Sequence, residues 1–310
     1  MSIKQFILSF FKIPRRKTRN DGDIPPPSPL RNYDTIGLVA PAGHGKTTFM
    51  WAAMGCFTRL DRVFTKSFIE PSVSTELLLK SINSMAEAAE LPRMTNEAVR
   101  YELKCHQLPD WGDRFMLLED RCSAALVPAD ADENSLTLIT RVQLVLLNPD
   151  LFCSQADREQ GLGELGQRLH LARAVCGTTG RRRIVVVISQ ADRILGLPET
   201  VRAHLRTDPL AGLWPGTTSP ASSLRDLKDE FFSANYVRTL AGIDQILRAW
   251  LREYPGGEDF LAAAELARVD LRLCAVSALG SDPQDGRMLF PWAPRRVLDP
   301  FLWAWSLGAG

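Results

Sequence analysis

Nine consecutive residues have the side chains and spacing needed to hold a chain of phosphate groups. Residues 40–48 read Ala-Pro-Ala-Gly-His-Gly-Lys-Thr-Thr, and a strand-like apolar run, residues 35–40, leads into them. Glycines let a loop curl so that successive main-chain N–H groups converge on anionic oxygens, while a lysine adds a positive charge. A helical pattern at residues 46–57 follows, and its dipole would reinforce this field. The sequence therefore predicts a phosphate-binding loop between a strand and a helix.

The loop is predicted to bind a nucleoside triphosphate together with Mg²⁺. The predicted nucleotide-binding residues of the loop are Ala42, Gly43, His44, Gly45, Lys46, Thr47 and Thr48. Lys46 would contact the β- and γ-phosphates, the Thr47 hydroxyl would ligate Mg²⁺, and Thr48 would lie by the α-phosphate. Ala40 occupies the position of the usual first glycine, where small residues are accepted. His44 is predicted to be a surface loop residue rather than a catalyst.

From residue 33 onwards, strand-like and helical patterns alternate. Strands are predicted at residues 35–40, 99–105, 115–118, 142–147, 184–188 and 271–276. Helices are predicted at residues 46–57, 74–89, 161–175, 236–252 and 260–267. Several of the strands are continuous apolar runs, which is typical of strands covered on both faces. The order predicts an α/β fold of the P-loop NTPase type, a mostly parallel sheet with helices on both faces in a GTPase-like three-layer sandwich.

The segment that follows the run at residues 184–188 bears on the identity of the base. It reads Ser189-Gln190-Ala191-Asp192 and resembles the short motif with which GTPases recognise guanine. In that motif a carboxylate accepts two hydrogen bonds from the base, a role that Asp192 fits. Ser189 and Gln190 depart from the motif, which has Asn or Thr and then Lys at these positions. The alternative is a capping box, with Ser189 as N-cap and Asp192 at the third helical position.

A second segment follows the last predicted strand, residues 271–276. It reads Ser277-Ala278-Leu279-Gly280 and resembles the Ser-Ala-Leu loop of GTPases, in which the alanine N–H faces the guanine oxygen. The two segments occur in the order expected of such proteins. Ser277 and Ala278 are therefore predicted to belong to the nucleotide-binding site.

Two further residues are predicted to act at the γ-phosphate. Thr95 lies in a loop before a strand and would sense Mg²⁺ and the γ-phosphate, although a helix cap or an exposed threonine fits its setting equally well. Asp120 would hold the Mg²⁺ ion through water, but Ser123 replaces the glycine that GTPases carry three residues later. No Gln or His follows to orient an attacking water, so hydrolysis is expected to be slow, partner-dependent or absent. The predicted catalytic residues are Lys46, Thr95 and Asp120.

Together, residues 40–48, 189–192 and 276–280 resemble the double-GTPase-like P-loop GTPases of bacterial multi-gene conflict (defence) systems. Residues 295–303 also resemble the ending of that group. The resemblance implies a GTP-binding switch that hydrolyses GTP with Mg²⁺ and acts with GTPase-associated partner proteins of the same system. Two alternatives remain open. One is a P-loop ATPase that uses residues 115–120 as its Walker B strand, and the other is a degenerate scaffold that binds nucleotide without turnover.

The first 32 residues differ from the rest of the chain. Residues 1–20 contain six basic and no acidic side chains, whereas the remaining residues contain 31 basic and 36 acidic ones. Residues 1–13 place apolar side chains at helical spacing, which predicts an amphipathic helix. Residues 2–13 would dock on a partner protein or an anionic membrane surface; alternatively, the helix packs on its own domain or frays. Residues 14–32 are basic and proline-rich and are predicted to be a linker.

The composition bounds the remaining possibilities. The chain has 310 residues, 45 % of them hydrophobic, and a formal net charge of +1. Its mildly acidic body argues against direct nucleic-acid binding. Six scattered cysteines without a C-x-x-C pair indicate a reducing compartment, so the expected location is the cytoplasm, at the inner membrane face if the N-terminal helix docks there. Residues 33–310 should form one domain with an irregular insertion around residues 195–233.

Overall fold

A seven-stranded sheet is the central element of the protein, for which we obtained a computed structural model. The structure describes residues 33–40, 44–60, 64, 68–91, 99–108, 112–120, 142–147, 149–152, 154–176, 183–211, 214, 234–281, 283–284, 288 and 291–306. These residues all belong to one structural unit, Asn32–Gly310. The predictions for residues 1–13 and 14–32 lie outside the described residues and stay predictions.

The strand order is β2-β3-β4-β1-β5-β6-β7. The strands are β1 (Tyr33–Val39), β2 (Phe68–Pro71), β3 (Val99–Leu108), β4 (Gly112–Asp120), β5 (Val142–Leu147), β6 (Arg183–Ile188) and β7 (Asp270–Ala275). The five strands from β4 to β7 in this order are parallel neighbours. Only β3 breaks the pattern among the described strands, because it runs antiparallel to both β2 and β4. The prediction of a mostly parallel sheet is confirmed.

Helices connect and cover these strands. The longer helices are α1 (Lys46–Phe57), α2 (Val73–Glu87), α3 (Gln155–Cys176), α4 (Glu199–Arg206), α5 (Ala234–Arg252), α6 (Gly257–Leu266) and α7 (Asp299–Trp305). Two short 3-10 helices, Pro149–Phe152 and Ala191–Arg193, follow β5 and β6. Each strand and helix predicted from the sequence is present with shifted or identical ends. The sequence patterns did not predict β2, α4 or α7.

The sheet separates two apolar cores, which explains the continuous apolar runs of its strands. All six residues of β5 are buried. Leu144 and Leu146 pack in a core with residues of α1, α2 and α7, whereas Val145 and Leu147 pack with residues of α3, α4 and α6. Because successive side chains of a strand point to opposite faces, such a strand must be apolar at every position. Helices therefore cover both faces of the sheet.

Strand β1 lies at the point where the strand order reverses. Its neighbours are β4 on one side and β5 on the other, and later strands continue away from β5. In open parallel sheets, ligands bind outside the carboxyl ends of the strands at such a point. The loop after β1 therefore occupies the edge of the sheet where a binding site is expected.

Part of the predicted insertion is helical. Helix α4 occupies residues Glu199–Arg206 and buries Val201 and Leu205 against the core on its side of the sheet. Residues 212–213 and 215–233 of the predicted insertion lie outside the described residues. The prediction of an insertion therefore stays open.

Three cysteines in the described ranges behave as small core side chains. Cys56, Cys105 and Cys274 are buried, free thiols. Burial raises the pKa of Cys105 to about 12 and that of Cys274 well above its ordinary value. These thiols are therefore protonated at neutral pH. Across the described ranges, we also find no helix with the length and apolarity that a membrane crossing requires.

Candidate functional site

A cavity of about 200 Å³ lies where four segments of the chain meet. These segments are the start of α1, the loop after β6, the loop after β7, and the segment after α2, which contributes Leu91. The cavity is lined by Gly45, Thr48, Phe49, Leu91, Ser189, Gln190, Asp192, Arg193, Ser277, Ala278, Leu279, Ser281 and Pro283. Because β1, β6 and β7 are parallel strands of one sheet, the segments that follow them meet at its carboxyl edge.

A glycine in a left-handed conformation precedes α1, where the sequence predicts a phosphate-binding loop. Gly45 precedes the helix with φ of +74°, a left-handed conformation that glycine adopts without steric cost. The Phe49 N–H donates to the Gly45 carbonyl over 2.8 Å and closes the first helical turn. The N-cap, Gly45, has no side chain that could cap this end of α1, and the first turn contains no acidic residue. The first N–H groups of a helix point out of its end, and together with the helix dipole they favour an anion there.

Lys46 and Thr47 are the first two residues of α1, and both are half-buried. Thr48, the third, lines the cavity. The helix beyond them is buried from Phe49 to Phe57, which fixes its N-terminus firmly against the sheet.

The loop after β6 is tied to the loop before α1 through Ser189. This serine is only 3 % exposed, and its hydroxyl lies 3.0 Å from the Leu147 carbonyl oxygen and 3.2 Å from that of His44. A serine hydroxyl that donates to these carbonyls holds β5 and the loop before α1 together. The capping-box alternative is wrong, because the short helix here begins after Gln190 rather than after Ser189.

Gln190 and Arg193 form one wall of the cavity. Gln190 has φ of +48°, an uncommon conformation for a residue with a side chain. Arg193 Nη1 donates to Gln190 Oε1 over 2.6 Å, and the Arg193 N–H donates to the Gln190 carbonyl over 3.0 Å. The Gln190 Nε2 atom would lie 3.4 Å from a Cβ added at Gly45, so the glutamine approaches the helix start closely. Asp192 is exposed and lines the same cavity.

The loop after β7 is shaped by Ser277. The Ser277 N–H donates to the Arg295 carbonyl over 3.1 Å, and the Arg295 N–H donates back over 2.7 Å. The Gly280 N–H donates to Ser277 Oγ over 2.9 Å and closes a tight turn around Ala278. Gly280 has φ of +78°, and an added Cβ would lie 2.3 Å from the Ala293 carbonyl oxygen. A glycine is therefore required at this position.

A second group of polar side chains lies away from the cavity, and we call it the buried polar cluster. Its members are His204, Tyr236, Arg296 and Asp299, which are buried, and Asp208, which is half-buried. Arg296 donates to the His204 carbonyl, the Tyr236 hydroxyl and the Thr207 carbonyl over 2.8, 2.8 and 2.9 Å. Asp299 accepts a hydrogen bond from the Tyr236 hydroxyl and lies 2.9 Å from His204 Nε2.

Burial and neighbouring charges shift the pKa values of three residues in this cluster. Burial raises the pKa of Asp208 although the Arg296 guanidinium lowers it, and burial also raises the pKa of Tyr236. Burial lowers the pKa of Arg296, but Tyr236, Asp299 and Asp208 outweigh that effect and raise it. Arg296 therefore remains a cation among acidic partners. Arg295, the residue before Arg296, forms main-chain hydrogen bonds with Ser277. The cluster therefore anchors the segment that supports the loop after β7.

His44, which is predicted to be a surface loop residue, lies just before α1. The side chain is half-buried, and no described residue accepts from or donates to its buried Nδ1 atom. Burial lowers the pKa of His44, although a hydrogen bond to the Leu146 main chain and the charges of Asp150 and Glu164 act in the opposite direction. The imidazole is therefore neutral at pH 7.

The structure brings most of the predicted site residues together. Those that line the cavity are Gly45, Thr48, Asp192, Ser277 and Ala278. Lys46 and Thr47 adjoin it in the first turn of α1. Ala42, Gly43 and Thr95 lie outside the described residues. Asp120 ends β4, next to β1, and its side chain also lies outside the description.

The sequence did not predict the contributions of five residues that line the cavity. The roles of Ser189, Gln190 and Arg193 were not predicted, although the first two were noted as departures from the guanine-recognition motif. This departure from the motif was the only sequence feature that could have indicated that these residues contribute to the site in another way. Apolar lining from Phe49 and Leu91 had no signal in the sequence, because both are ordinary core residue types.

No protein-family model matches the chain, and comparison with curated proteins also finds no match. In the described part of the chain, no three His, Cys, Asp or Glu side chains cluster so as to hold a metal ion by themselves. Mg²⁺ in nucleotide sites is usually held by one or two protein ligands, phosphate oxygens and water, so such a cluster is not required.

Proposed function

We propose that the cavity binds GTP together with Mg²⁺ and that the chain is a P-loop NTPase of the GTPase-like, three-layer type. One observation carries this proposal. The start of α1 and the loops after β6 and β7 are remote in sequence, and all three line one cavity at the carboxyl edge of the sheet. The first was predicted from the phosphate-loop motif, and the other two were predicted from their resemblance to GTPase loops. Parallel strands bring such loops to one edge of the sheet, and here that edge carries the phosphate-loop pattern together with both segments that resemble guanine-binding loops.

The proposal assigns the phosphates to the start of α1. The left-handed glycine at the N-cap and the lack of an acidic residue in the first turn both favour an anion there. Lys46 would supply its charge to the β- and γ-phosphates, and Thr48 would lie by the α-phosphate. Thr47 and, through water, Asp120 would hold Mg²⁺, which would neutralise charge between the phosphates.

The proposal assigns the base to the loops after β6 and β7. Asp192 is exposed, so its carboxylate can accept hydrogen bonds from the N1–H and exocyclic amine of guanine. Adenine presents no such pair of donors. Ala278 lies in the turn that Ser277 and Gly280 close, where its main-chain N–H could face the guanine oxygen.

We further propose that the protein is a switch that acts with GTPase-associated partner proteins in a bacterial conflict system, in the cytoplasm. This proposal rests on the resemblance described above and on the nucleotide site. Residues 2–13 would provide a docking helix for a partner or for the inner membrane face. Ser123 and the lack of a following Gln or His in the sequence favour slow or partner-dependent hydrolysis.

A calorimetric titration tests the proposal. Purified wild-type protein and Lys46→Ala are titrated with GTP and ATP, with and without Mg²⁺, and phosphate release is then measured. We expect GTP binding that strengthens with Mg²⁺ and is weakened about tenfold or more by Lys46→Ala, because a charge-assisted contact to phosphate is removed. Thr47→Ala should reduce the dependence on Mg²⁺.

The remaining outcomes identify the alternatives. Tighter binding of ATP would favour a P-loop ATPase and remove the assignment of Asp192. Binding of GTP without phosphate release would favour a nucleotide-binding scaffold. No binding of either nucleotide to folded protein would refute the proposed site.

A further inference from the structure

We propose that the Arg193 guanidinium, positioned by Gln190, is the surface on which the nucleobase stacks in this cavity. The inference rests on the proposed function, and it concerns how the site holds its base rather than whether it binds a nucleotide. Gln190 and Arg193 both line the cavity, as do Asp192 and the apolar residues Leu91 and Leu279.

The geometry of Gln190 makes Arg193 a pre-organised group. Gln190 follows the buried Ser189 and is held in a left-handed conformation with φ of +48°. Its Oε1 atom accepts from Arg193 Nη1 over 2.6 Å, and its carbonyl accepts from the Arg193 N–H over 3.0 Å. The turn and the side-chain bond thus fix both ends of the arginine. A side chain held in this way loses less conformational entropy when a ligand binds.

The chemistry of a guanidinium suits an aromatic base. Its plane is flat and weakly hydrated, and it stacks on π-systems more readily than a lysine ammonium does. The apolar side chains of Leu91, Leu279 and Pro283 in the same cavity favour a flat, poorly hydrated ligand surface. Asp192, which adjoins Arg193 in sequence, would then contact the edge of the base while Arg193 covers its face.

The test separates contacts to the base from contacts to phosphate. Wild-type protein, Arg193→Ala, Arg193→Lys and Gln190→Ala are titrated with Mg²⁺ complexes of GTP, GDP and inorganic tripolyphosphate. Arg193→Ala should lower the affinity for GTP and GDP by about tenfold and leave the affinity for tripolyphosphate unchanged. Arg193→Lys should recover little of this loss, because it restores the charge but not the plane.

Gln190→Ala should also lower the affinity for GTP and GDP and leave that for tripolyphosphate unchanged. Its effect should be smaller than that of Arg193→Ala, because the guanidinium is kept and only the hydrogen bond that positions it is removed. Arg252→Ala is the matched control, since Arg252 is an exposed arginine on α5 that pairs with Glu258. It should leave every affinity unchanged. Thermal unfolding of each variant confirms that the fold is retained.

Each outcome decides between the two claims. If Arg193→Ala binds GTP like the wild type while Lys46→Ala does not, the proposed function stands and the stacking inference is overturned. Equal losses for GTP and tripolyphosphate would make Arg193 a phosphate ligand and also overturn it. If the folded wild-type protein binds none of the three probes, the proposed function fails, and the inference fails with it.

Discussion

Ionic side chains occur in two contrasting settings in this protein. In the buried polar cluster, Arg296 and Asp299 are 5 % and 1 % exposed, and their hydrogen bonds join α4, α5 and the C-terminal segment. In the cavity, Asp192 and Arg193 are exposed on a wall that faces solvent. Buried charges are tolerated only when they are paired, whereas exposed charged side chains remain hydrated.

The buried polar cluster and the cavity are connected through two adjacent arginines. Arg296 is anchored in the cluster, and the adjacent Arg295 pairs with Ser277 in the loop that lines the cavity. The closed cluster therefore holds the position of a loop whose accessible atoms can bind a ligand. Substitutions in the cluster should change stability most, and substitutions in the cavity should change ligand selection.

The largest effect is expected for Arg296→Ala. Removing this side chain takes away its hydrogen bonds to Tyr236 and to the carbonyls of His204 and Thr207, together with the cation that faces Asp208 and Asp299. We expect the free energy of unfolding to fall by about 3–5 kcal/mol, measured by urea denaturation. Arg252→Ala, at an exposed ion pair, should change it by less than about 0.5 kcal/mol. If both variants behave alike, the cluster has no special structural role.

Alanine substitutions at two glycines, Gly280 and Gly242, test whether the loop after β7 requires a glycine. Gly280→Ala forces an alanine to adopt φ of +78° and places its Cβ against the Ala293 carbonyl. The strained backbone alone should lower the free energy of unfolding by about 1–3 kcal/mol and should weaken GTP binding. Gly242→Ala has open space around it within α5 and should stabilise the protein by about 0.5–1 kcal/mol. Equal effects in denaturant melts would contradict this description of the loop.

Asp192→Asn should change selectivity without changing stability. The substitution keeps the shape of the side chain but removes one of the acceptors for guanine, so the preference for GTP over ATP should fall about tenfold. Competition titrations of the two nucleotides measure this ratio, and tripolyphosphate affinity serves as the control that should stay constant. A loss shared equally by GTP and ATP would show that Asp192 does not contact the base.

The smallest effect concerns pH and His44. Because burial lowers the pKa of His44 below 6.5, the unfolded chain binds its proton more readily than the folded protein does. The stability associated with neutral His44 is present above pH 6.5 and declines as pH falls through the lowered pKa. Urea melts should show that His44→Gln loses less stability than the wild type between pH 7.5 and about 5.5. A parallel decline in both proteins would contradict this assignment.

The sequence predicted the parts of this molecule that follow simple local rules. Continuous apolar runs marked β5 and β6, because both faces of each strand are buried. The glycine and Lys-Thr-Thr pattern marked the start of α1 with its correct first residue, Lys46. The convergence of the loops after β6 and β7 followed from their places at the ends of parallel strands.

Features that depend on contacts remote in sequence could not be predicted. The edge strand β2 is only four residues long and is held by its pairing with β3. Helix α7 is buried on all sides, so it shows no helical periodicity. The use of Ser189 to bridge two carbonyls depends on the position of His44, which is 145 residues away in the chain.

Hydrogen exchange measured by mass spectrometry tests the central claim most directly, because it monitors the start of α1 and the loops after β6 and β7 at once. Amide exchange is compared with and without GTP and Mg²⁺. We predict slower exchange in peptides that cover residues 44–49, 189–193 and 277–281, with no change in α6, which lies outside the cavity lining. Unchanged exchange in all three segments at saturating nucleotide, or protection confined to other regions, would contradict the proposal that they form one nucleotide-binding site.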